Sequence, residues 1–139
     1  MPPAGSPDLD PLPPPAGAAF ERLGWTFLAE FFEIARRRRP SDVEALAELG
    51  SAYTRLGRYR EGLEVDRTLA ALVPTNPTVH YNLACSLALC GQAEAALDAL
   101  ERATALGYTD HAHLETDLDL ESLRSHARFR ELLERLKAL

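Results

Sequence analysis

The fold is decided by the stretch "VEALAELGSAYTRLGRYREGLEVDRTLAALVPTN", residues 43–76. Its pattern is repeated 34 positions later in residues 77–110, "PTVHYNLACSLALCGQAEAALDALERATALGYTD". This shift superposes Leu49 on Leu83, Gly57 on Gly91, Leu63 on Leu97, Ala71 on Ala105 and Leu72 on Leu106. In both copies apolar residues recur at intervals of three and four, and a glycine separates two such runs. Each copy is therefore predicted to form an antiparallel helix pair.

Local signals divide the chain into helices. Pro40, Pro74 and Pro77 stand between the apolar-periodic runs, where a proline ring blocks continuation of a helix. Ser41 with Glu44 has the spacing of a capping box, and Asn76 before Pro77 has the form of an N-cap followed by the first helical residue. Almost nothing alternates with the period of a strand, so the predicted class is all-α.

The repeat resembles the tetratricopeptide repeat, which has the same period and a characteristic series of large and small packing positions. The first copy matches at Leu46, Leu49, Gly50, Tyr53, Gly62 and Pro74, and the second at His80, Leu83, Ala84, Leu87, Ala96, Leu100 and Ala103. One period earlier, residues 18–40 satisfy only the back half of the pattern and are interpreted as a degenerate N-terminal helix. The resemblance implies a right-handed α-solenoid whose first helices line a concave groove for a peptide or helix of a partner.

Residues 111–139 are similar to an ending common in bacterial tetratricopeptide proteins, roughly "DPDL..LR..PRF..LL". The matched residues are His113, Leu114, Asp117, Asp119, Leu120, Leu123, Arg124, Arg128, Phe129, Leu132 and Leu133, while Leu118 and Ala127 replace two prolines of the pattern. We interpret the segment as a cap in which a short helix and an amphipathic helix from His126 to Leu139 cover the apolar end of the solenoid.

The N-terminal residues differ in composition from the rest. Residues 1–15 contain seven of the ten prolines and no β-branched or aromatic side chain. Such a stretch buries too little surface to offset its ordering entropy. Residues 1–17 are therefore predicted to be a disordered tail preceding a single domain at 18–139, and the segment "PDLDPLPPP" is an extended sequence that could occupy the groove of its own chain.

The charge balance argues against nucleic acid and anionic membranes as partners. The formal net charge is −6, and the acidic excess falls in residues 41–139. Arg36–Arg39 form the last turn of a predicted helix, where cations suit the helix dipole. No apolar run is long enough to cross a bilayer, and the first residues do not form a secretory signal, so we expect a cytoplasmic protein without membrane insertion.

Two surfaces are candidate binding sites. The groove positions implied by the resemblance are Glu44, Ala47, Ser51, Thr54, Arg55, Thr78, Tyr81, Asn82, Cys85, Ala88 and Leu89. The first helix carries two adjacent apolar stripes, one at Phe20, Leu23, Phe27, Phe31 and Ile34 and the other at Trp25, Leu28, Phe32 and Ala35. One stripe can pack on the repeats, and the other needs a second copy, a partner or the tail. Interface candidates on this helix are Trp25, Phe27, Leu28, Phe31 and Phe32.

Two further pairs of residues are candidate sites, the two cysteines and the polar pair Asp66 and His80. Cys85 and Cys90 point about 140° apart on one helix, so they cannot share a metal, and no metal or other cofactor is expected. Asp66 and His80 occupy positions that the repeat pattern gives to large apolar residues. They are hypothesised to form a partly buried polar pair, the alternative being that both reach solvent at the groove edge.

The predicted function is a non-enzymatic protein-interaction module that acts as an adaptor, scaffold or chaperone-like protein. The alternative is a regulatory or structural subunit that associates through the aromatic first helix, as a homodimer or in a fixed complex, or a secretion-type chaperone. An enzyme is not expected, because no phosphate loop, GxGxxG, nucleophile elbow or HExxH is present.

Overall fold

The computed structural model describes residues 14–139, with side chains from residue 17 onward. The helices are α1 (Pro14–Arg38), α2 (Val43–Arg55), α3 (Tyr59–Leu72), α4 (Pro77–Leu89), α5 (Ala93–Ala105), α6 (His111–Thr116), a 3₁₀ helix (Leu118–Leu123) and α7 (Ala127–Lys137). Among these residues there is no strand. Successive helices from α1 to α5 pack side by side, and the predicted all-α solenoid is confirmed.

The first helix begins earlier than the sequence indicated. Of the predicted tail, residues 1–13 lie outside the described residues, as does most of the segment proposed to occupy the groove. Residues 14–17 are helical, so α1 starts at Pro14 instead of the expected Ala18. Proline is compatible with this start, because the first N–H groups of a helix have no acceptor within it.

Three N-caps reproduce the period of the repeat. The side chains of Asp42, Asn76 and Asp110 each accept a hydrogen bond from the backbone N–H three residues later, at 3.1, 3.2 and 3.0 Å. The predicted Asn76 cap before Pro77 is confirmed. The predicted Ser41–Glu44 capping box is wrong, because α2 begins at Val43 and the residue directly before it, Asp42, supplies the cap.

The C-terminal segment keeps the repeat register. α6 begins one full period after α4, and α7 begins one full period after α5. The segment that we interpreted as a cap therefore follows the helix starts of a third repeat. Its first helix stops after the single short stretch His111–Thr116, and the 3₁₀ helix replaces the remainder.

Glycines make the turns within the two complete repeats. Gly57 and Gly91 have φ of 74° and 76°, a region that disfavours residues with a Cβ. After α2, the N–H of Arg58 donates to Tyr53 O and the N–H of Gly57 donates to Thr54 O, and the turn after α4 repeats this pattern. These paired bonds form a Schellman motif, which satisfies the last carbonyls of each first helix.

Two buried clusters form the core. The first contains residues of α1 to α4, with Leu46, Leu49 and Val65 almost completely buried. The second combines α4 and α5 with the C-terminal segment, whose Leu114, Leu120, Leu123, Phe129, Leu132 and Leu136 are all buried. The C-terminal segment is therefore an integral part of the core.

The two stripes of α1 have different environments. Trp25, Leu28 and Phe32 pack against the first cluster. Phe27 and Phe31 lie on the other stripe, which is exposed. Of the five interface candidates on this helix, Trp25, Leu28 and Phe32 are therefore engaged within the chain, on the side of α1 that packs against α2.

Neighbouring phenylalanines provide a test of this orientation. Phe32→Ala should destabilise the protein by about 2–4 kcal/mol, because it removes a ring packed against the core. Phe31→Ala is the matched control and should cost less than about 1 kcal/mol, because its ring is 55% exposed and makes one edge-to-face contact with Phe32. Urea unfolding in dilute solution, followed by the fluorescence of Trp25, measures both. Equal losses for the two variants would contradict the assigned faces of α1.

Candidate functional site

The first helices of the repeats and the C-terminal segment surround a concave cavity of about 670 Å³. Seven of the eleven groove candidates line it, namely Ala47, Ser51, Thr54, Arg55, Tyr81, Asn82 and Cys85. They come from α2 and α4, the first helices of the two complete repeats, which begin at caps of the same register and both face the cavity.

Four groove candidates lie outside the lining. Glu44 and Thr78 are exposed in the first turns of their helices, and Leu89 is half-buried at the end of α4. Ala88 is buried in the second cluster. Tyr81 and Cys85 belong to the same cluster but also reach the cavity, whereas Ala88 does not, so its assignment to the groove is wrong.

The floor of the cavity contains a buried carboxylate. Asp66 is only 6% exposed, and its Oδ2 accepts a hydrogen bond from the Ser86 hydroxyl. Burial raises the pKa of the Asp66 carboxyl to about 6, although the bond from Ser86 acts in the opposite direction. The hypothesised pair with His80 is wrong, because a His80 ring nitrogen lies 2.8 Å from Pro74 O. The alternative, in which both side chains reach solvent, is wrong for Asp66 because its carboxylate is buried.

Gly50 provides room for this carboxylate. A Cβ at position 50 would lie 3.0 Å from Asp66 Oδ1, closer than most Cβ atoms approach their neighbours, so the carboxylate would have to shift. The glycine of the repeat pattern thus permits close contact between α2 and α3, at the point where the buried aspartate faces the cavity.

Asp117 connects the C-terminal segment to α4. Its backbone is extended, so it ends α6 and starts the 3₁₀ helix, whose Asp119 N–H donates to Asp117 Oδ1 at 3.0 Å. The Tyr81 hydroxyl donates to Asp117 Oδ2 at 2.6 Å, and His113 Nε2 lies 3.3 Å from the same oxygen. One carboxylate therefore anchors the wall of the cavity.

The Cys85 thiol and the Tyr81 hydroxyl beside Asp117 retain their protons. Burial, followed by the charges of Asp117 and Asp119, raises the pKa of the Cys85 thiol far above its ordinary value. Burial also raises the pKa of Tyr81, whose ring stacks on that of Tyr108 at 4.3 Å between centroids. Both side chains are neutral hydrogen-bond donors toward the carboxylate at physiological pH.

Cys85, Asp117 and Asp119 bring one sulfur and two carboxylate oxygens within 4.8 Å of one another. The sequence did not predict this group, because both aspartates lie more than thirty residues from Cys85. A metal here would have to displace the proton of a thiol whose deprotonation is opposed by burial and by two aspartates. The observed arrangement is a hydrogen-bonded wall.

The cavity contains more negative than positive side chains. Asp66, Asp117 and Asp119 line it, with Arg55 as the guanidinium among the lining residues. Burial raises the pKa of Asp119, the charge of Asp117 raises it further, and Arg55 and His113 lower it. The cavity is therefore a concave surface with an anionic wall and floor.

Sequence reasoning missed the contribution of the C-terminal segment. His113, Thr116, Asp117, Leu118 and Asp119 line the cavity, as do Gly50, Asp66, Leu69 and Ser86. The sequence does contain a sign that this segment faces the groove. Asp110 lies one period after Asn76 and, like it, marks the start of a first helix. Interpreting the segment as an end cap placed these residues outside the groove.

The comparisons with known proteins agree with a helical repeat. No family model matches the chain. The chain is 35% identical over 104 residues to a chloroplastic protein of Arabidopsis thaliana, covering 73% of this chain and 31% of that protein. It is 30% identical over 122 residues to "Superkiller protein 3" of Saccharomyces cerevisiae, covering 79% of this chain and 8% of that protein. The chain thus spans less than a third of either curated relative.

Two solved structures have the same fold. The crystal structure of MamA aligns with a TM-score of 0.66 at 25% identity, over 79% of this chain and 65% of that one. The MamA RS-1 ArsTM double mutant aligns with a TM-score of 0.67 at 20% identity, over 88% and 71% of the two chains. The chain therefore has a tetratricopeptide-like helical-repeat fold. These comparisons show no catalytic family.

The described helices of this repeat protein include none that combines the length and apolar character needed to span a membrane.

The buried carboxylate of the repeat protein predicts a pH dependence of stability. Because the pKa of Asp66 rises from 3.8 to about 6 on folding, the folded state binds its proton more tightly, and this contribution to stability falls as pH rises from about 4 to 6. At pH 7 the raised pKa lowers the free energy of unfolding by on the order of 3 kcal/mol.

Asp66→Asn should therefore be more stable than wild type at pH 7.5, by about 1–3 kcal/mol, and the difference should shrink toward pH 4. Urea unfolding over this pH range measures it, and a constant difference would contradict it.

Ser86→Ala is the companion variant. It removes the donor to a buried carboxylate, so we expect a loss of about 1–3 kcal/mol at pH 7. In the Asp66→Asn background the same substitution should cost less, because the acceptor is then neutral. Equal losses in both backgrounds would mean that the Ser86 hydroxyl does not act on this carboxylate.

Proposed function

We propose that this repeat protein is a non-enzymatic interaction module that holds a segment of a partner protein in its concave groove. The observation that carries the proposal is the open cavity of about 670 Å³, which residues from the first helices of successive repeats line together. Its lining combines small side chains such as Ala47 and Ser51 with the amide of Asn82, which leave room for an extended chain and can bond its backbone.

The charge of the cavity specifies the class of segment. Asp119 lies at the wall, and among the described residues no hydrogen bond or ion pair holds its carboxylate oxygens. Together with Asp117 and Asp66 it outweighs the single lining guanidinium, Arg55. A lysine or arginine side chain of the partner supplies the missing charge, and guanidinium–carboxylate bonds also provide directional recognition.

The chain's own N-terminal segment is a poorer occupant by the same criterion. Residues 1–17 contain Asp8 and Asp10 and no lysine or arginine. Like charges across an interface oppose binding. Charge complementarity therefore favours a basic segment of another protein over the tail.

Selection from a displayed library of random decapeptides tests the proposal. We expect enriched peptides to contain lysine or arginine, and replacing that residue by citrulline or glutamine should weaken binding about tenfold in fluorescence anisotropy. Asp119→Asn should weaken binding of the same peptides by a similar factor. Glu64→Gln, which removes an exposed carboxylate on α3 outside the cavity, is the matched control and should leave affinity unchanged.

A blocking variant separates groove binding from its charge preference. Ser51→Trp places a large side chain in the cavity at an exposed position, so it should abolish binding without unfolding the protein. Glu64→Trp is the corresponding control. Binding that survives Ser51→Trp would overturn the groove as the site. A second outcome is that Ser51→Trp abolishes binding while replacing the peptide's basic residue by citrulline has no effect. This result would support the groove as the site and overturn its preference for basic residues.

A further inference from the structure

One face of α1 remains unpartnered in the described structure. Phe20, Leu23, Phe27, Phe31 and Ile34, named here the exposed stripe, are between 53% and 71% exposed. At 100° per residue, all five lie within a sector of about 80° around the helix. This surface is separate from the groove, since none of the five lines the cavity.

The spacing of the exposed stripe is the same in both directions. Its members are separated by three, four, four and three residues. In an antiparallel pair of α1 helices centred on Phe27, Phe20 would face the partner's Ile34 and Leu23 would face the partner's Phe31. A two-fold axis beside Phe27 therefore matches every apolar side chain of the stripe with another, which is the requirement of an isologous interface.

Gly24 fits the same arrangement. A glycine inside a helix is destabilising, and none of the described residues outside the helix's own backbone lies within 4 Å of the position where its Cβ would be. Neither packing nor backbone conformation of the single chain requires it. In the antiparallel pair, Gly24 lies beside the stripe at nearly the same height as the partner's Phe31, within about 1.5 Å along the axis. Its missing side chain leaves room for that ring.

Charge determines the direction of the pair. Arg36, Arg37 and Arg38 form the last turn of α1. A parallel pair would bring these cations of both copies together at one end. An antiparallel pair separates them by about 30 Å, several times the screening length at physiological salt, and it also opposes the two helix dipoles.

The exposed stripe is large enough for a specific contact. Its exposed portions amount to on the order of 600 Å² per copy, so a pair buries roughly 1,200 Å², within the range of specific interfaces. We propose that two copies of this chain associate antiparallel through α1, about a two-fold axis beside Phe27. The dimer would present two grooves, since the stripe and the cavity do not overlap.

The mass in solution tests this proposal. Light scattering over a concentration series should give twice the 15.3 kDa chain mass for wild type. Phe27→Asp should weaken association at least about thirtyfold, because it places two carboxylates at the axis. Leu139→Asp, at another highly exposed apolar residue, is the control and should still dimerise. A wild-type chain that stays monomeric at every concentration overturns the proposal, and so does dimerisation that appears only after deletion of residues 1–13.

Cysteine cross-linking tests the direction. In a background with Cys85→Ala and Cys90→Ala, a chain with Leu23→Cys should form a disulfide with a tagged chain carrying Phe31→Cys. Two chains with Leu23→Cys should not cross-link, because their residues 23 lie about 12 Å apart along the axis, beyond the reach of a disulfide. Preferred cross-linking between two Leu23→Cys chains would establish a parallel pair and overturn the proposal.

Discussion

The hydrogen bonds of Asp42, Asn76 and Asp110 to the backbone three residues later are the constraint on which the architecture depends. Each bond places the start of a first helix, and each start lies one repeat period after the one before. Three first helices therefore start at equivalent positions of successive repeats. The cavity exists because their side chains converge on one side, and the Schellman turns at Gly57 and Gly91 return the chain for the packing helices behind them.

The third repeat departs from the other two, and this departure shapes the site. Asp117 adopts an extended conformation where the earlier first helices continue, and its carboxylate accepts hydrogen bonds from Tyr81 and from the backbone N–H of Asp119. The chain consequently turns across the end of the groove, and it brings a second aspartate with it. Tyr81 and Cys85 keep their protons and donate to this carboxylate, so the negative charge of the wall comes from Asp117 and Asp119. The proposed preference for a basic segment follows from that charge.

Much of the fold followed from local patterns. The helix pairs, the cap at Asn76 and the two stripes of α1 all depend on residues within a few positions of one another. The stripes are an informative case, because their spacing showed that one face had to pack and that another remained. Which face packs was not predictable, and Trp25, Leu28 and Phe32 face α2 while Phe27 and Phe31 do not. Seven groove residues were recovered because α2 and α4 follow the repeat register closely.

The sequence by itself determined the repeat period, the helix class, the turns and most of the predicted residues lining the groove, because periodicity, capping and turn chemistry act over a few residues along the chain. The tertiary structure alone decided that Asp66 meets Ser86 rather than His80, and that Asp117 joins Tyr81 and Cys85, which lie far from it in sequence. Those contacts depend on how far each helix rotates about its own axis and where it lies against its neighbours. Packing of the whole core sets these two quantities, so no local pattern of residues specifies them.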